Sequence, residues 1–271
     1  MALAAVFVFF AAFFGFAQIQ NFPPDGEGAM GHVNDSPRHG EWVTVDAGMG
    51  DRVDAWLVYS ERSDDAPVVI VIHEIYGLTD WIRAVADQLA AEGFIAIAPD
   101  MLSGKTPGGK GSSAVSRDEA RSLIRSLEWE EIERRLNATA RYATSLPAAT
   151  SRYGVVGFCW GGGTSFQYAT EQPDLGAAVV YYGVSPDTDE LGNIAAPVLG
   201  LYGGDDNRVN ATIPDAEREM QMLGKKYEVN IYEGAGHAFL RNQSGQSGAN
   251  MNATQKAWPR MVEFFRENLE L

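Results

Sequence analysis

The single cysteine of the chain, Cys159, lies in a sequence pattern suited to nucleophilic chemistry. Gly157 and Gly161 flank it two positions away on either side, which is the spacing of the G-x-S-x-G nucleophile turn with cysteine in place of serine. Such a turn is strained and crowded, so the two flanking positions can carry almost no side chain. A helix predicted to begin just after the turn would favour a thiolate through its dipole. The alternative interpretation is a buried cysteine that acts as a small hydrophobic residue.

A histidine that could serve as the base is found near the C-terminus. Enzymes built on this turn order their catalytic groups along the chain as nucleophile, acid and histidine. The chain has four histidines, and only His237 follows Cys159. It lies in a glycine-containing loop, just past the last predicted strand. The alternative is a histidine that merely satisfies its hydrogen bonds in a loop, but its place after the last strand favours the catalytic role.

Two neighbouring carboxylates, Asp205 and Asp206, follow the strand predicted at 198–202. The next predicted strand, 227–232, leads to His237. Either carboxylate could hold the imidazole in the required tautomer. The other could form a turn or cap the following helix, and the spacing does not choose between them. The segments that separate Cys159, these aspartates and His237 are only long enough for the intervening strands and helices. We therefore expect no cap domain and an open site for small substrates.

Regular hydrophobic patterns predict the elements that must position these groups. Short, wholly apolar runs alternate with longer amphipathic stretches, which is typical of an α/β fold whose mostly parallel central sheet has helices on both faces. Residues 42–45 and 53–58 flank a glycine-rich turn and predict an N-terminal antiparallel hairpin. The apolar runs are 68–72, 94–98, 153–156, 177–182, 198–202 and 227–232, and the helical stretches are 81–91, 114–146, a helix from about 161, 214–223 and 252–269.

The composition limits the classes of partner and cofactor. The 271 residues suit one large domain, and no internal repeat is present. The formal net charge of −15 comes without a basic run, which argues against nucleic acid or anionic membrane surfaces as partners. A single cysteine excludes an intramolecular disulfide and any cysteine-rich zinc site. We expect a monomer that needs no metal and no cofactor.

The N-terminal region divides into two parts. Residues 1–17 contain no polar or charged side chain and end in small residues before Gln18, which predicts a cleaved secretory signal and a secreted or periplasmic protein. The alternatives are an uncleaved membrane anchor formed by residues 2–17, and a misassigned start codon. Residues 18–40 have the proline- and glycine-rich composition of a flexible linker. The folded domain is then predicted to span residues 41–271.

The chain resembles the dienelactone hydrolases (carboxymethylenebutenolidases) of the α/β-hydrolase superfamily. Four segments carry the resemblance: His-Glu-Ile-Tyr-Gly-Leu at 73–78, Gly-Phe-Cys-Trp-Gly-Gly at 157–162, Tyr-Gly-Gly-Asp-Asp at 202–206, and Glu-Gly-Ala-Gly-His-Ala-Phe at 233–239. Their order along the chain makes the match specific, and it extends from about residue 41 to 271. The resemblance implies hydrolysis of small carboxylic esters or lactones through a thioester.

The resemblance also implies roles for individual residues around Cys159. Asp206 rather than Asp205 matches the triad acid. Glu74 matches a glutamate that contacts the resting thiol and changes partner when substrate binds, and a carboxylate there disfavours the thiolate until it moves away. The backbone N–H groups of Ile75 and Trp160 would form the oxyanion hole.

Three further residues are implied in substrate binding. Arg241 matches an arginine that binds a substrate carboxylate and pairs with the family's glutamate, and Tyr76 belongs to the same site. The family's second carboxylate-binding arginine is replaced here by glycine, with Lys105 beside it as a substitute point charge. This departure and the export signal argue against dienelactone itself as the natural substrate. The alternatives are a broader carboxylesterase or thioesterase acting on neutral esters, and a catalytically silent binding protein on the same scaffold.

Overall fold

One mixed sheet of eight strands organises the computed structural model, which describes residues 22–270. The strand order is β1-β2-β4-β3-β5-β6-β7-β8. Strand β2 pairs antiparallel with β1 and β4, and all other pairs are parallel. The predicted hairpin therefore forms the antiparallel edge. The strands are β1 Gly40–Gly48, β2 Asp51–Val58, β3 Ala66–Ile72, β4 Ile95–Pro99, β5 Ala149–Phe158, β6 Ala177–Tyr181, β7 Val198–Gly203 and β8 Tyr227–Tyr232.

Strands β3, β4, β6 and β7 are apolar along their whole length because both faces of the sheet are buried there. Side chains alternate between the two faces of a strand. In β3, Val68 and Ile70 join the core on one face, and Val69 and Val71 join the core on the other. Every residue of β3, β4, β6 and β7 is buried. Burial on both faces is what the wholly apolar runs of the sequence predicted.

Helices cover both faces of the sheet. Helices α1, α2 and α8 contribute to the core on one face, and α3 to α7 contribute to the core on the other. Within residues 22–270, no separate domain is inserted between Cys159 and His237. The helices are α1 Ala29–Asp35, α2 Asp80–Ala91, α3 Arg117–Arg125, α4 Trp129–Thr144, α5 Trp160–Glu171, α6 Asn207–Asn210, α7 Ile213–Met222 and α8 Ala249–Leu269.

The helical region predicted over residues 114–146 is two helices rather than one. Helix α3 begins with a capping box in which Ser116 and Glu119 satisfy each other's backbone N–H groups. It ends where the Ser126 hydroxyl donates a hydrogen bond to the Leu123 carbonyl oxygen at 2.8 Å. Glu128 then adopts an extended conformation before α4. The hydrophobic periodicity did not reveal this break because polar and apolar residues alternate in the same way on both sides of it.

The prediction of a flexible linker over residues 18–40 is wrong for its described part, residues 22–40. The carbonyl oxygen of Pro24 accepts a hydrogen bond from the Trp81 indole at 3.1 Å, and that of Pro23 accepts one from the Gln243 amide at 2.8 Å. Helix α1 then packs against α2. Composition suggested a linker because the partners that hold this segment lie far away in the sequence.

Asp87 anchors the same segment to α2. Its buried carboxylate accepts hydrogen bonds from His32 Nε2 at 2.8 Å, from Ser36 Oγ at 2.5 Å and from Arg38 Nη2 at 2.5 Å. Burial raises the pKa of Asp87, but these hydrogen bonds outweigh burial and lower the pKa to about 2. The ionised carboxylate therefore stabilises the docked segment at neutral pH.

The Asp87→Asn substitution is expected to lower the free energy of unfolding at pH 7 by about 2 kcal/mol, because Arg38 and His32 lose a buried charged acceptor. Since the pKa of Asp87 is lowered in the folded protein, this stabilisation is present above pH 4 and is lost as the pH falls towards 2. Urea unfolding at pH 7 measures the difference. The control is Asp215→Asn, because Asp215 pairs with Arg218 on the exposed surface and little change is expected there. Equal stability of Asp87→Asn and wild type would contradict the anchoring role.

None of the helices in residues 22–270 is long and apolar enough to cross a membrane. The predicted signal, residues 1–17, lies outside the described residues. Export and its alternative, an anchor formed by residues 2–17, stay predictions.

Candidate active site

Cys159 occupies a strained turn between the end of β5 and the start of α5. Its φ of 58° and ψ of −112° are unusual for a residue other than glycine. A Cβ atom at Gly157 would overlap the carbonyl group of Gly161, and one at Gly161 would overlap the carbonyl oxygens of Ile72 and His73. The spacing of the two glycines is therefore a steric requirement of the turn, as the sequence predicted.

Asp206 and His237 meet above the carboxyl ends of β7 and β8. His237 Nδ1 lies 2.5 Å from Asp206 Oδ2. The other carboxylate oxygen of Asp206 accepts a hydrogen bond from the Val209 N–H at 3.4 Å and so caps α6. Asp205 is exposed, whereas Asp206 is buried. The structure thus brings Asp206, and not Asp205, to the histidine, and this one residue also provides the helix cap.

His237 and Cys159 line the same cavity, and the cysteine is close enough to raise the pKa of the imidazole. Burial lowers the pKa of His237, but the hydrogen bond to Asp206 and the interaction with Cys159 outweigh burial and raise the pKa to about 9. Burial likewise raises the pKa of Asp206, and the hydrogen bond to His237 makes the net change a lowering. An ionised Asp206 beside a protonated His237 can stabilise a thiolate at Cys159.

Glu74 forms a buried ion pair with Arg241. Arg241 Nε lies 2.7 Å from Glu74 Oε2, and the carboxylate side chain is only 3% exposed. Burial raises the pKa of Glu74, and the nearby positive charges of Arg241, His237 and Arg117 offset only part of that effect. The resemblance implies two partners for Glu74, the resting thiol and Arg241. The structure shows the pair with Arg241.

Two backbone N–H groups near Cys159 are available to a ligand. Ile75 and Trp160 line the same cavity as Cys159 and His237. Trp160 is the first residue of α5, so its N–H has no partner inside the helix. Within the part of the chain that the structure describes, neither N–H donates a backbone or side-chain hydrogen bond. Such donors suit an oxyanion that develops next to the cysteine.

The cavity at Cys159 has a volume of about 780 Å³ and is partly apolar and partly cationic. Leu127, Trp129 and Ile132 form an apolar wall. Arg121, Arg125 and Arg208 also line it, and no carboxylate from the described residues does. Sequence reasoning missed these arginines. The available signal was the concentration of three arginines in residues 117–125, near the start of the helical stretch predicted over 114–146.

Tyr76 lines this cavity as predicted, but two other predicted substrate-binding residues do not. Lys105 lies in a different cavity, where its Nζ is 2.8 Å from Glu131 Oε2. That prediction is wrong because the loop after β4 turns the lysine towards α4 and away from Cys159. Arg241 reaches Glu74 and lies 5.8 Å from the Tyr76 ring centre, yet it lines a neighbouring cavity together with Arg117.

Tyr182 is a further residue of the site that sequence reasoning missed. It follows β6 directly and has a φ of 40°, and its ring packs edge-on against His237 with centres 5.2 Å apart. Burial raises the pKa of its hydroxyl well above the ordinary value, with the negative charge of Glu74 adding to the effect. Its position at the carboxyl end of a buried strand, between the strands that precede Cys159 and Asp206, was the signal available.

The strained turn of Cys159 follows a strand in the middle of the sheet, and the aspartate and the histidine follow later strands. This arrangement defines the class of the protein as an α/β-hydrolase. Within this class, the chain belongs to the dienelactone hydrolase family, whose family model matches residues 53–269. The family and the fold class indicated by the four sequence segments are thereby confirmed, and the chain is a carboxylic ester hydrolase.

Several relatives resemble the chain over most of its length. A provisionally named carboxymethylenebutenolidase of Salmonella typhimurium is 32% identical over 237 residues, which cover 83% of this chain and 86% of the relative. A provisionally named dienelactone hydrolase from Klebsiella pneumoniae has a crystal structure with a TM-score of 0.75 at 25% identity, covering 85% of this chain and 99% of its own. The dienelactone hydrolase-like promiscuous phosphotriesterase P91, from metagenomic libraries, has a TM-score of 0.74 at 25% identity, with coverages of 86% and 99%.

Proposed function

We propose that the protein hydrolyses small carboxylic esters or lactones through a thioester formed on Cys159. The observation that carries the proposal is the position of His237, which lies 2.5 Å from Asp206 and lines the same cavity as Cys159. Cys159 lies in a strained turn and lines a cavity. Ile75 and Trp160 line the same cavity, and their N–H groups donate no hydrogen bond within the described residues. These are the groups that acyl transfer requires.

In the acylation half of the reaction, His237 accepts the thiol proton of Cys159 while Asp206 stabilises the imidazolium that forms. The thiolate sulfur attacks the carbonyl carbon, and the carbonyl π electrons move to the oxygen. The N–H groups of Ile75 and Trp160 stabilise this oxyanion, each contributing about 3 kcal/mol. When the tetrahedral intermediate collapses, the bond to the leaving oxygen breaks and the imidazolium protonates that oxygen. A thioester remains on Cys159.

In the deacylation half, His237 removes a proton from water as the water oxygen attacks the thioester carbon. Collapse of this tetrahedral intermediate breaks the C–S bond, releases the carboxylic acid and leaves the thiolate of Cys159 beside the imidazolium of His237. Acylation neutralises the sulfur, so the contribution of Cys159 to the raised pKa of His237 is lost. The pKa of His237 consequently falls, and the neutral imidazole becomes available as a base. With an amide substrate, the tetrahedral intermediate would expel the thiolate more readily than an unprotonated amine. Attack on an amide would therefore tend to reverse. Activated esters and strained or enol lactones are therefore the natural scope.

In this scheme, the position of Glu74 affects formation of the thiolate at Cys159. Its pairing with Arg241 holds a buried negative charge against a positive one at the edge of the site. We propose that the active enzyme keeps Glu74 on Arg241, because a carboxylate turned towards Cys159 would oppose formation of the thiolate. The raised pKa of Glu74 has burial as its main cause, so its ionised form depends on the nearby cations.

The lining of the cavity favours a substrate with an apolar body and an acidic group. Leu127, Trp129 and Ile132 suit the apolar part. Arg121, Arg125 and Arg208 give the cavity a positive potential in a protein of net charge −15, and guanidinium groups bind carboxylates well. This contrast supports esters or lactones that carry a carboxylate over neutral esters, and it assigns acid recognition to arginines other than Arg241.

Mono-p-nitrophenyl succinate and p-nitrophenyl butyrate test this preference because their acyl chains have equal length and differ by one carboxylate. The wild-type enzyme is expected to hydrolyse the succinate ester with the higher kcat/KM. Arg125→Gln is expected to raise KM for the succinate ester roughly two- to fivefold, the value of an exposed ion pair, with kcat unchanged. The butyrate ester should be insensitive. Steady-state kinetics at low ionic strength measures both effects.

Arg152→Gln is the matched control, since Arg152 is exposed at the start of β5, at the opposite end of that strand from Cys159. It removes the same charge from the protein and is expected to leave KM unchanged for both the succinate ester and the butyrate ester. Equal kcat/KM for the two esters would contradict the preference for an acidic group. Failure to hydrolyse either ester would instead contradict the proposed reaction. We further propose, from the apolar run over residues 1–17 alone, that the enzyme acts in the periplasm or outside the cell. As a separate proposal, we expect it to act as a monomer.

A further inference from the structure

His73, at the end of β3, is fully buried and makes two hydrogen bonds that the proposed reaction does not use. Its Nδ1 atom lies 2.7 Å from the carbonyl oxygen of Glu74, and its Nε2 atom lies 3.2 Å from the backbone nitrogen of Met101. Both ring nitrogens are therefore occupied. The residue cannot exchange protons with a substrate, because it has no exposed surface and does not line the cavity at Cys159.

The two partners determine the tautomer of His73. A backbone N–H can only donate, so Nε2 must accept from Met101 and carries no proton. A carbonyl oxygen can only accept, so Nδ1 carries the proton and donates it to Glu74. Burial lowers the pKa of His73, which keeps the ring neutral and this arrangement intact.

The hydrogen bond to Glu74 constrains the orientation of a neighbouring N–H group. The carbonyl of Glu74 and the N–H of Ile75 belong to one planar trans peptide and point in opposite directions. A group that holds the carbonyl oxygen in place therefore also sets the direction of the Ile75 N–H. The same oxygen accepts a second hydrogen bond from the Gly77 N–H at 3.1 Å, so this peptide is held from two sides.

His73 also contacts the other N–H donor residue of the site. Its ring stacks on the indole of Trp160, with centres 5.5 Å apart and an angle of 21° between the planes. The carbonyl oxygen of His73 packs closely against Gly161, the next residue along. His73 thus contacts residues around both Ile75 and Trp160, whose N–H groups are the proposed oxyanion donors.

We propose that His73 is a positioning residue of the oxyanion hole, which aims the Ile75 N–H at the reacting carbonyl oxygen by fixing the Glu74–Ile75 peptide. The inference rests on the proposed function, since it assigns Ile75 to the oxyanion. His73 acts through this peptide and does not touch substrate. Its removal is expected to affect kcat rather than KM, because an oxyanion exists only after attack has begun.

Two substitutions separate the two hydrogen bonds of His73. In His73→Asn, the side-chain amide nitrogen can occupy the place of Nδ1 and still donate to Glu74, while the acceptor for Met101 is lost. In His73→Gln, the amide oxygen can reach the place of Nε2 and still accept from Met101, while the donor to Glu74 is lost. Both variants put a neutral amide in the same buried space, so each is a control for the other.

His73→Gln is expected to lower kcat for mono-p-nitrophenyl succinate roughly 10- to 100-fold, somewhat less than deletion of an oxyanion donor, with KM nearly unchanged. His73→Asn is expected to retain most of the activity. Affinity for a trifluoromethyl ketone, whose thiolate adduct carries an oxyanion, should fall in His73→Gln by the same factor as kcat. Alkylation of Cys159 by iodoacetamide forms no oxyanion, and its rate should be the same in both variants and in the wild type.

Equal kcat in the two variants, or alkylation that slows in parallel with kcat, would overturn the inference and indicate a general structural role. The amide resonance of Ile75 provides a readout that does not depend on turnover. It should shift and exchange faster in His73→Gln than in His73→Asn, and equal behaviour would count against the inference. A wild-type enzyme without Cys159-dependent turnover contradicts the proposed function instead, and the Ile75 resonance then still decides whether His73 holds the peptide.

Discussion

Substitution of Cys159 by alanine is expected to lower kcat for mono-p-nitrophenyl succinate by roughly 10⁴-fold or more, because removal of the nucleophile from a triad leaves only binding and oxyanion stabilisation. KM should change little, since the cavity walls are provided by other side chains. The expected loss is far larger than that for Arg125→Gln, because the arginine contributes to binding only. Steady-state kinetics on the purified variant measures the change, with circular dichroism to show that the fold is retained.

The acyl-enzyme gives an independent measurement of the same prediction. Wild-type enzyme quenched in acid during turnover of the succinate ester should carry a succinyl group on the peptide that contains Cys159, and hydroxylamine should release it, as expected for a thioester. Cys159→Ala should carry none. The chain has no second cysteine that could take the label. Comparable turnover by Cys159→Ala and the wild type would remove the cysteine from the chemistry and with it the proposed mechanism.

The placement of the proposed catalytic residues could be predicted because local sequence and strand order together determine it. The glycines at 157 and 161 report a steric requirement that the structure shows directly, as any Cβ atom there would overlap a carbonyl group. The parallel sheet then brings the carboxyl ends of β5, β7 and β8 to one edge. Residues shortly after these strands therefore come close together, which is why Cys159, His237 and the pair of Asp205 and Asp206 were predictable. The choice of Asp206 over Asp205 came from the family resemblance.

The residues around the reacting groups were harder to predict because long-range contacts orient them. Lys105 follows β4, but its ion pair with Glu131 directs it away from Cys159. The arginines at 121 and 125 lie on α3 and line the cavity, and the end of this helix at Ser126 was not visible in the hydrophobic pattern. Residues 22–40 had the composition of a linker, and contacts with residues distant in the sequence, Trp81, Asp87 and Gln243, explain their packing.

The role of Asp206 leads to a second prediction with a large effect. Asp206→Asn is expected to lower kcat by about 10³- to 10⁴-fold, because asparagine cannot stabilise an imidazolium and favours the wrong tautomer of His237. The side-chain oxygen of asparagine can still accept the hydrogen bond from Val209, so the cap of α6 and the fold should persist. The loss should therefore appear in catalysis and not in unfolding.

Asp206→Asn should also lower the pKa of His237 from about 9, because the hydrogen bond to Asp206 is the first of the effects that raise it. Acylation needs the imidazolium to protonate the leaving oxygen. The wild-type kcat/KM is therefore expected to hold up to about pH 9 and to fall above it, and the fall should begin at a lower pH in the variant. Titration of the imidazole by NMR and the pH profile of kcat/KM measure the two shifts separately.

Asp205→Asn is the matched control for this change, since it makes the same chemical substitution one position earlier, on an exposed side chain. It should leave kcat within about twofold and the pKa of His237 unchanged, as is usual for surface substitutions. A larger loss in Asp205→Asn than in Asp206→Asn would show that the other carboxylate serves the histidine in solution. If both variants retained full activity, His237 would need no acid partner, and the ionised Asp206 would act only as the cap of α6.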